Sequence, residues 1–298
     1  NRPCGAWLLL GGARGLGERV LRVCGGGDMI QRMKIIRFQS GSDVFFGSPL
    51  DAKTARLLDG RPPGPCRLTG AVVNVDRLLA PIEPVDLLCI GLNYRAHADE
   101  QNVAYPQNPL LFMKARNALN DPGAPIPIPA RSAMIDFECE LAVIIGRAAR
   151  NVPEEAALEH VFGYTLANDV SSRDWQKDRA LGGGQWCRAK SFDGFCPLGP
   201  CIVTADEIPD PGRLTIRTRV NGELMQESGT DDMVFSVAQL IANLSSTMTL
   251  HPGQVILTGT PGGVGMYRDP PVWLKPGDVV SVSCDAIGEL VNPVAAGC

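Results

Sequence analysis

No two of the ten cysteines stand at C-x-x-C spacing, so neither a zinc knuckle nor a thioredoxin-like redox motif is present. Several of them sit inside apolar, strand-like runs, where cysteine behaves as a small hydrophobe, and a reducing compartment is the simplest reading. Histidine is scarce. His97, His160 and His251 are the only three, no H-E-x-x-H occurs, and any metal would therefore have to be held by oxygen. Basic runs are missing as well: Lys plus Arg is 28 against 32 acids, for a net charge of −4, which argues against a nucleic-acid partner. Apolar runs are short, with residues 6–10 and 141–145 among the longest, far below the roughly 20 residues of a spanning helix. No membrane association is expected. What the chain does have is 45% apolar residues, too many for disorder, and a length of 298 residues that suits one large domain with a smaller appendage.

Residues 1–32 read differently from the rest. Arg2, Arg14, Arg19 and Arg22 face only Glu18 and Asp28, a balance that fits a mitochondrial transit peptide, although Ser is absent and Gly25-Gly26-Gly27 is a poor helix former. The alternative is that Met29 or Met33 is the start and the upstream residues stand outside the fold. The expected location is cytoplasmic, or the mitochondrial matrix if 1–32 is a transit peptide.

From Met33 the alternation Lys34-Ile35-Ile36-Arg37-Phe38 predicts a strand, followed by a loop-rich stretch broken at Arg61-Pro62-Pro63-Gly64-Pro65. Residues 33–84 thus read as a small N-terminal β domain ahead of a longer, strand-rich remainder. Strands are expected at 85–90, 135–145, 161–168, 255–258 and 279–284. A hairpin is expected where 214–220 and 223–226 flank Asn221-Gly222, the pair best suited to a type I′ turn. One amphipathic helix is expected over 233–247, where Val234, Val237, Ile241, Leu244 and Met248 recur at three and four residues. The composition points to a β-rich α+β fold with a few covering helices.

The segment 135–146 carries the strongest chemical signal. On a strand its odd positions are apolar, while Asp136, Glu138 and Glu140 share the other face before that face turns apolar at Ala142 and Ile144. A bare E-x-E is ordinarily a solvated strand end. The next strand, however, is apolar and ends on Asp169, and three converging carboxylates repel one another unless a cation neutralises them. Oxygen ligands select a hard ion such as Mg²⁺, Mn²⁺ or Ca²⁺. Arg173, Gln176 and Lys190 follow close in sequence, and Thr260 lies in a glycine-rich turn, Thr258-Gly259-Thr260-Pro261-Gly262-Gly263-Val264-Gly265, able to offer backbone N–H groups to an anion. Taken singly, each has a plain alternative: Arg173 pairing with Asp174 at the surface, Lys190 solvated, the glycines a tight turn.

The ordered blocks G-x-N-Y-x-x-H-x-x-E, D-F-E-C-E-L-A-V-I-I-G, N-D-V-S-S-R-D-W-Q, K-S-F-D-x-F-C-P-L-G-P, V-N-G-E, L-T-G-T-P-x-G-V-G and L-K-P-G-D resemble the fumarylacetoacetate hydrolase (FAH) family over about residues 85–294. Trp175, the Gln185-Trp186 pair and the insertion at 270–274 point to one subgroup with bacterial relatives. The resemblance implies a twisted β-roll with peripheral helices, a homodimer, and one Mg²⁺ or Mn²⁺ (Ca²⁺ as a substitute) on Glu138, Glu140 and Asp169. It implies a small-molecule 2-oxo or 1,3-dicarbonyl acid substrate that reacts through a metal-stabilised enolate. The outcome would be carbon–carbon cleavage of the acylpyruvate hydrolase or oxaloacetate decarboxylase type. The subgroup favours the alternative of oxaloacetate keto-enol tautomerisation, and a non-catalytic metal-binding scaffold is the reading from another class. The same resemblance assigns His97 and Glu100 to a catalytic dyad on a lid, Lys190 and Gln176 to oxyanion charge, Arg173 to a substrate carboxylate and Thr260 to the distal end of the substrate. One departure is the segment Lys114-Ala115-Arg116-Asn117-Ala118, where relatives often have Ser and a Gly-Pro-Gly turn after a Lys, which puts substrate contacts from that loop in question.

Overall fold

The computed structural model describes residues 33–297; the segment 1–32, read above as a leader or an untidy N-terminus, lies outside the described residues. Strands β1 (Lys34–Ser40), β2 (Asp43–Pro49), β3 (Thr54–Asp59), β4 (Arg67–Asn74) and β5 (Arg77–Leu79) fill the stretch that the sequence presents as one strand and a loop. The difference has a physical cause. β4 is exposed along most of its length, so its residues show no apolar alternation to read. Nor is this part detached, because β1 continues the main sheet through the antiparallel pair Ile35↔Ile202.

The chain then runs through β6 (Leu87–Gly91), α1 (Arg95–Glu100), β7 (Leu110–Lys114), β8 (Leu119–Asn120), β9 (Ile126–Ile128), β10 (Ile135–Asp136), β11 (Cys139–Ile145), α2 (Glu154–Ala157), β12 (Val161–Asn168) and β13 (Ser171–Ser172). It continues with α3 (Arg173–Lys177), α4 (Trp186–Ala189), β14 (Cys196–Thr204), β15 (Thr215–Val220), β16 (Glu223–Gly229), α5 (Val237–Thr247), β17 (Val255–Leu257), β18 (Val279–Cys284) and β19 (Gly288–Ala296). The main sheet has the order β4-β3-β2-β1-β14-β12-β11-β17-β6-β7, and a second has the order β16-β15-β18-β19-β9. β18 lies beside β12 and β19 beside β14, so the two sheets wrap into one strand-dominated roll. None of the helices among the described residues is long and apolar enough to cross a membrane.

β11 is buried along its whole length. Cys139, Leu141, Val143 and Ile145 enter one core with the α5 residues Val237, Leu240, Ile241 and Leu244, while Ala142 and Ile144 enter the other with Phe162, Ala167 and Leu257. The expected continuous strand over 135–145 is interrupted: β10 ends at Asp136, and pairing resumes at Cys139 opposite Asn168. The hairpin forms as expected, with Asn221 at φ 52° and Gly222 at φ 83°. The helix expected over 233–247 begins only at Val237. Ser236 caps it, its Oγ accepting from Gln239 N–H at 3.2 Å while its own N–H donates to Gln239 Oε1 at 2.9 Å. The turn before it is held elsewhere, since Phe235 exchanges hydrogen bonds with the buried side chain of Asn93.

Candidate active site and metal centre

Register brings the carboxylates together. Cys139 pairs with Asn168, so the residues one step outside the ladder, Glu138 and Asp169, face each other, joined by Asp169 N–H donating to Glu138 C=O at 2.9 Å. Asn168 Oδ1 also accepts from Glu138 N–H at 3.0 Å and fixes the interrupted strand. Glu140 projects from the same side of β11 as Ala142 and Ile144. Carboxylate oxygens of Glu138, Glu140 and Asp169 lie within 4.8 Å of one another, and all three residues are buried. Three such hard oxygens in so small a volume fit a divalent cation.

The surrounding charges are ordered. Lys190 Nζ spans Glu138 Oε2 at 2.7 Å and Asp169 Oδ2 at 2.6 Å, and Arg173 donates from Nε to Asp136 at 2.8 Å and from Nη2 to Glu138 Oε1 at 2.6 Å. Burial raises the Glu138 carboxyl, but Lys190 and Arg173 outweigh it and hold the group at about 2. Burial lowers Lys190 and Arg173, and their carboxylate partners overturn this and leave both above their ordinary values. Glu140 differs. It forms no ion pair among the described residues and accepts from Gly259 N–H at 2.6 Å; burial first, then the charges of Asp169 and Glu138, push its carboxyl well above the usual range. A bound cation would relieve that repulsion.

Two further residues belong to this network. Lys114, at the end of β7, is fully buried and donates to Asp169 Oδ1 at 2.5 Å and to Val170 C=O at 3.1 Å. The signal for it was faint: Phe112 and Lys114 share one side of an otherwise apolar strand. Asp136 anchors Arg173 and also accepts from Gly265 N–H at 2.7 Å and Met266 N–H at 3.1 Å.

The glycine-rich turn does present N–H groups to anions, but the anions it meets are the protein's own carboxylates. Gly259 holds Glu140, Gly263 N–H donates to Glu100 Oε2 at 2.8 Å, and Gly265 holds Asp136. Gly259 has φ 96°, which suits glycine, and a Cβ on Gly265 would stand 2.0 Å from Val272 C=O. Thr260, nearly buried, accepts from Gln226 Nε2 at 2.9 Å, so its own proton is left to donate.

All nine residues singled out from the sequence converge. A cavity of about 250 Å³ is lined by His97, Glu138, Glu140, Arg173, Gln176, Lys190 and Thr260, with Phe112, Trp186 and Tyr267 among its walls. Asp169 completes the carboxylate cluster with Glu138 and Glu140. Glu100 stands behind His97, whose Nδ1–H donates to Glu100 Oε1 at 2.6 Å. The outer nitrogen, His97 Nε2, accepts from Gln101 Nε2 at 2.9 Å, a contact the sequence reading did not foresee. Arg173 points inward rather than toward Asp174, and its Nη1 donates to Gln176 Oε1 at 2.9 Å. Asp174 instead serves Ser132, Ser172 and two backbone N–H groups.

A strand roll enclosing a buried carboxylate centre and a histidine–glutamate pair in one cavity defines an enzyme with a divalent-metal type of site. The family description "Fumarylacetoacetate (FAA) hydrolase C-terminal" matches residues 86–295, and "Rv2993c-like, N-terminal" matches 33–88. The chain belongs to the fumarylacetoacetate hydrolase family. It is 52% identical over 218 residues to a Xenopus laevis protein named oxaloacetate tautomerase fahd2, mitochondrial, covering 73% of this chain and 68% of the relative. It is 46% identical over 217 residues to the human protein named oxaloacetate tautomerase FAHD2A, mitochondrial, covering 72% and 68%. These relatives belong to the subgroup indicated by Trp175 and the Gln185-Trp186 pair. Among solved structures, a 5-carboxymethyl-2-hydroxymuconate delta-isomerase from Mycobacterium smegmatis superposes with a TM-score of 0.78 at 40% identity, covering 89% of this chain and all of that one.

Proposed function

We propose that this chain is a divalent-metal-dependent keto-enol tautomerase acting on oxaloacetate. The observation that carries the reading is that His97, backed by Glu100, shares a single cavity with Glu138 and Glu140, which cluster with Asp169. Mg²⁺ or Mn²⁺ held by those three residues would supply Lewis acidity that lowers the cost of the enol form. His97 Nε2 is the base that takes the proton from the carbon next to the 2-oxo group and returns it to oxygen. Glu100 keeps the other proton on Nδ1, and Gly263 N–H keeps Glu100 in place. The Gln176 amide and the Thr260 hydroxyl donate to substrate oxygens, while Lys190 and Arg173 hold Glu138 and Asp169 in register. Ile90, Phe112 and Trp186 keep water scarce.

The second reading is carbon–carbon hydrolysis or decarboxylation, which the same dyad would serve by activating water. A hydrolase must also stabilise a tetrahedral oxyanion, and three N–H groups of the glycine-rich segment are already committed to Glu140, Glu100 and Asp136. That commitment, with the names of the relatives, favours the tautomerase. The test incubates purified protein and Mg²⁺ with oxaloacetate and separately with acetylpyruvate, following enol absorbance apart from pyruvate, acetate and carbon dioxide release, against enzyme-free controls. Accelerated enol conversion without cleavage is expected. Cleavage at a comparable rate would put the hydrolase in its place.

A further inference from the structure

Among the described residues, the lysine and arginine side chains that line the cavity are Arg173, Lys177 and Lys190. Arg173 and Lys190 each spend their charge on two carboxylates of the protein. Lys177 forms no ion pair among the described residues. Its Nζ donates to Tyr267 Oη at 2.8 Å and lies 5.0 Å from the centre of that ring. It is also exposed, so an incoming anion meets an uncommitted positive charge at the cavity rim.

The contact to Tyr267 begins a strap of hydrogen bonds. Tyr267 Oη donates to Gln101 Oε1 at 3.1 Å, Gln101 Nε2 donates to His97 Nε2 at 2.9 Å, and His97 Nδ1 donates to Glu100 Oε1 at 2.6 Å. Every donor points the same way, from Lys177 toward Glu100. The Gln101 link also occupies the imidazole nitrogen that proton transfer requires.

We propose that Lys177 is the receptor for the second carboxylate of a dicarboxylic 2-oxo acid, and that filling it opens the strap and unmasks His97 Nε2. The physical reason is a competition between acceptors. A carboxylate is a stronger partner for an ammonium group and for a phenolic O–H than a neutral phenol or amide oxygen. When a carboxylate arrives, Lys177 turns to it and the Tyr267 proton follows. Gln101 then loses the bond that holds its amide against His97. A monocarboxylic acid spends its only carboxylate at the metal end of the cavity and leaves the strap closed. The unmasking half rests on the reading of His97 as the base; the receptor half does not.

The receptor is tested by calorimetry on the Mg²⁺-loaded protein with two unreactive probes, the diacid malate and the monoacid lactate. Wild-type protein is expected to bind malate about tenfold or more tighter than lactate, the worth of one charged hydrogen-bonded contact. Lys177→Met should erase the preference, and Lys177→Arg should keep most of it. Because Lys177 is exposed, neither change threatens the fold. Equal binding of the two acids by wild-type protein, or a preference that survives Lys177→Met, overturns the receptor.

The strap is tested by deuterium exchange into the methyl group of pyruvate, a monoacid. Removing the plug with Gln101→Leu should raise exchange roughly threefold or more, because a masked base is reduced by its unmasked fraction. Exchange no faster than wild type overturns the unmasking. If malate preference depends on Lys177 but no variant exchanges pyruvate, the enolisation reading and the strap fall while the receptor stands.

Discussion

Lys114 shows what a single buried charge does in this protein. It bonds Asp169 from the side opposite Lys190, so Asp169 keeps two cations on its two oxygens. Lys114→Met should therefore cost the metal-free protein about 2–4 kcal/mol, because part of a buried carboxylate's compensation is lost. Urea unfolding of the metal-free variant measures this, and an unchanged midpoint would show the contact to be idle. Glu140 gives the complementary case, having a backbone N–H partner and no ion pair among the described residues. Glu140→Gln keeps an oxygen for Gly259 N–H yet removes a ligand charge, so the fold should persist while the Kd for Mg²⁺ rises by about a hundredfold or more by calorimetry. Glu138, Glu140 and Asp169 were legible because alternation on a strand and a lone acid after an apolar run are both visible in order along the chain. Lys114 was not: a cation at the end of a strand, followed by Ala115-Arg116, is what a solvated terminus also looks like.

At the scale of elements, the hairpin at Asn221-Gly222 was legible because its turn chemistry is local. The interruption of 135–145 was not. It depends on Asn168, thirty residues away, bonding Glu138 N–H where a ladder partner would otherwise stand. The start of α5 was misplaced for a similar reason, since Asn93 holds Phe235 out of the helix. Short α3 works as a two-sided bracket: Arg173 reaches inward, while Asp174 gathers Ser132, Ser172, Ala133 N–H and Trp175 N–H. Burial raises the Asp174 carboxyl, but bonds from Ser172 and Ser132 and the backbone outweigh it and leave it below its usual 3.8. A lowered native value means stability present above pH 3.8 and lost as pH falls through the native value. Asp174→Asn should thus lower the Tm by a few degrees at neutral pH, with the gap to wild type closing in strongly acid solution. A gap that stays constant across the titration would assign the loss to packing instead. Gly265→Ala should also destabilise, as the added carbon would strike Val272 C=O and press on Asp136 Oδ1 at 2.7 Å. A Tm within a degree of wild type would show that the turn yields.

For the whole molecule, the β-rich class and its few helices follow from composition, but the order of the sheet does not. No local pattern says that β17 inserts between β11 and β6, or that β1 extends the sheet past β14. Since the proposed metal ligands belong to this shared frame, a cation bound there stabilises the fold as a unit. Chelator should lower the Tm of purified protein and abolish enol conversion, and added Mg²⁺ should restore both together. Recovery of one without the other would separate the metal from the chemistry.

The position of β17 also bears on how the protein is made. Its parallel partner β6 pairs Leu87 with Val255, and its antiparallel partner β11 pairs Ile144 with the same residue. A ribosome delivering the chain from its N-terminus therefore exposes β6 and β11 as two unpaired apolar edges throughout the synthesis of more than a hundred intervening residues. The nascent protein waits with a slot in the middle of its sheet, and the cavity, walled by Thr260 and Tyr267 from beyond that slot, cannot close before residue 267 has emerged. A fragment ending before residue 255 should therefore keep both edges open and aggregate at concentrations where the longer chain stays dispersed, and a fragment as well dispersed as the longer chain would show that the edges are otherwise covered.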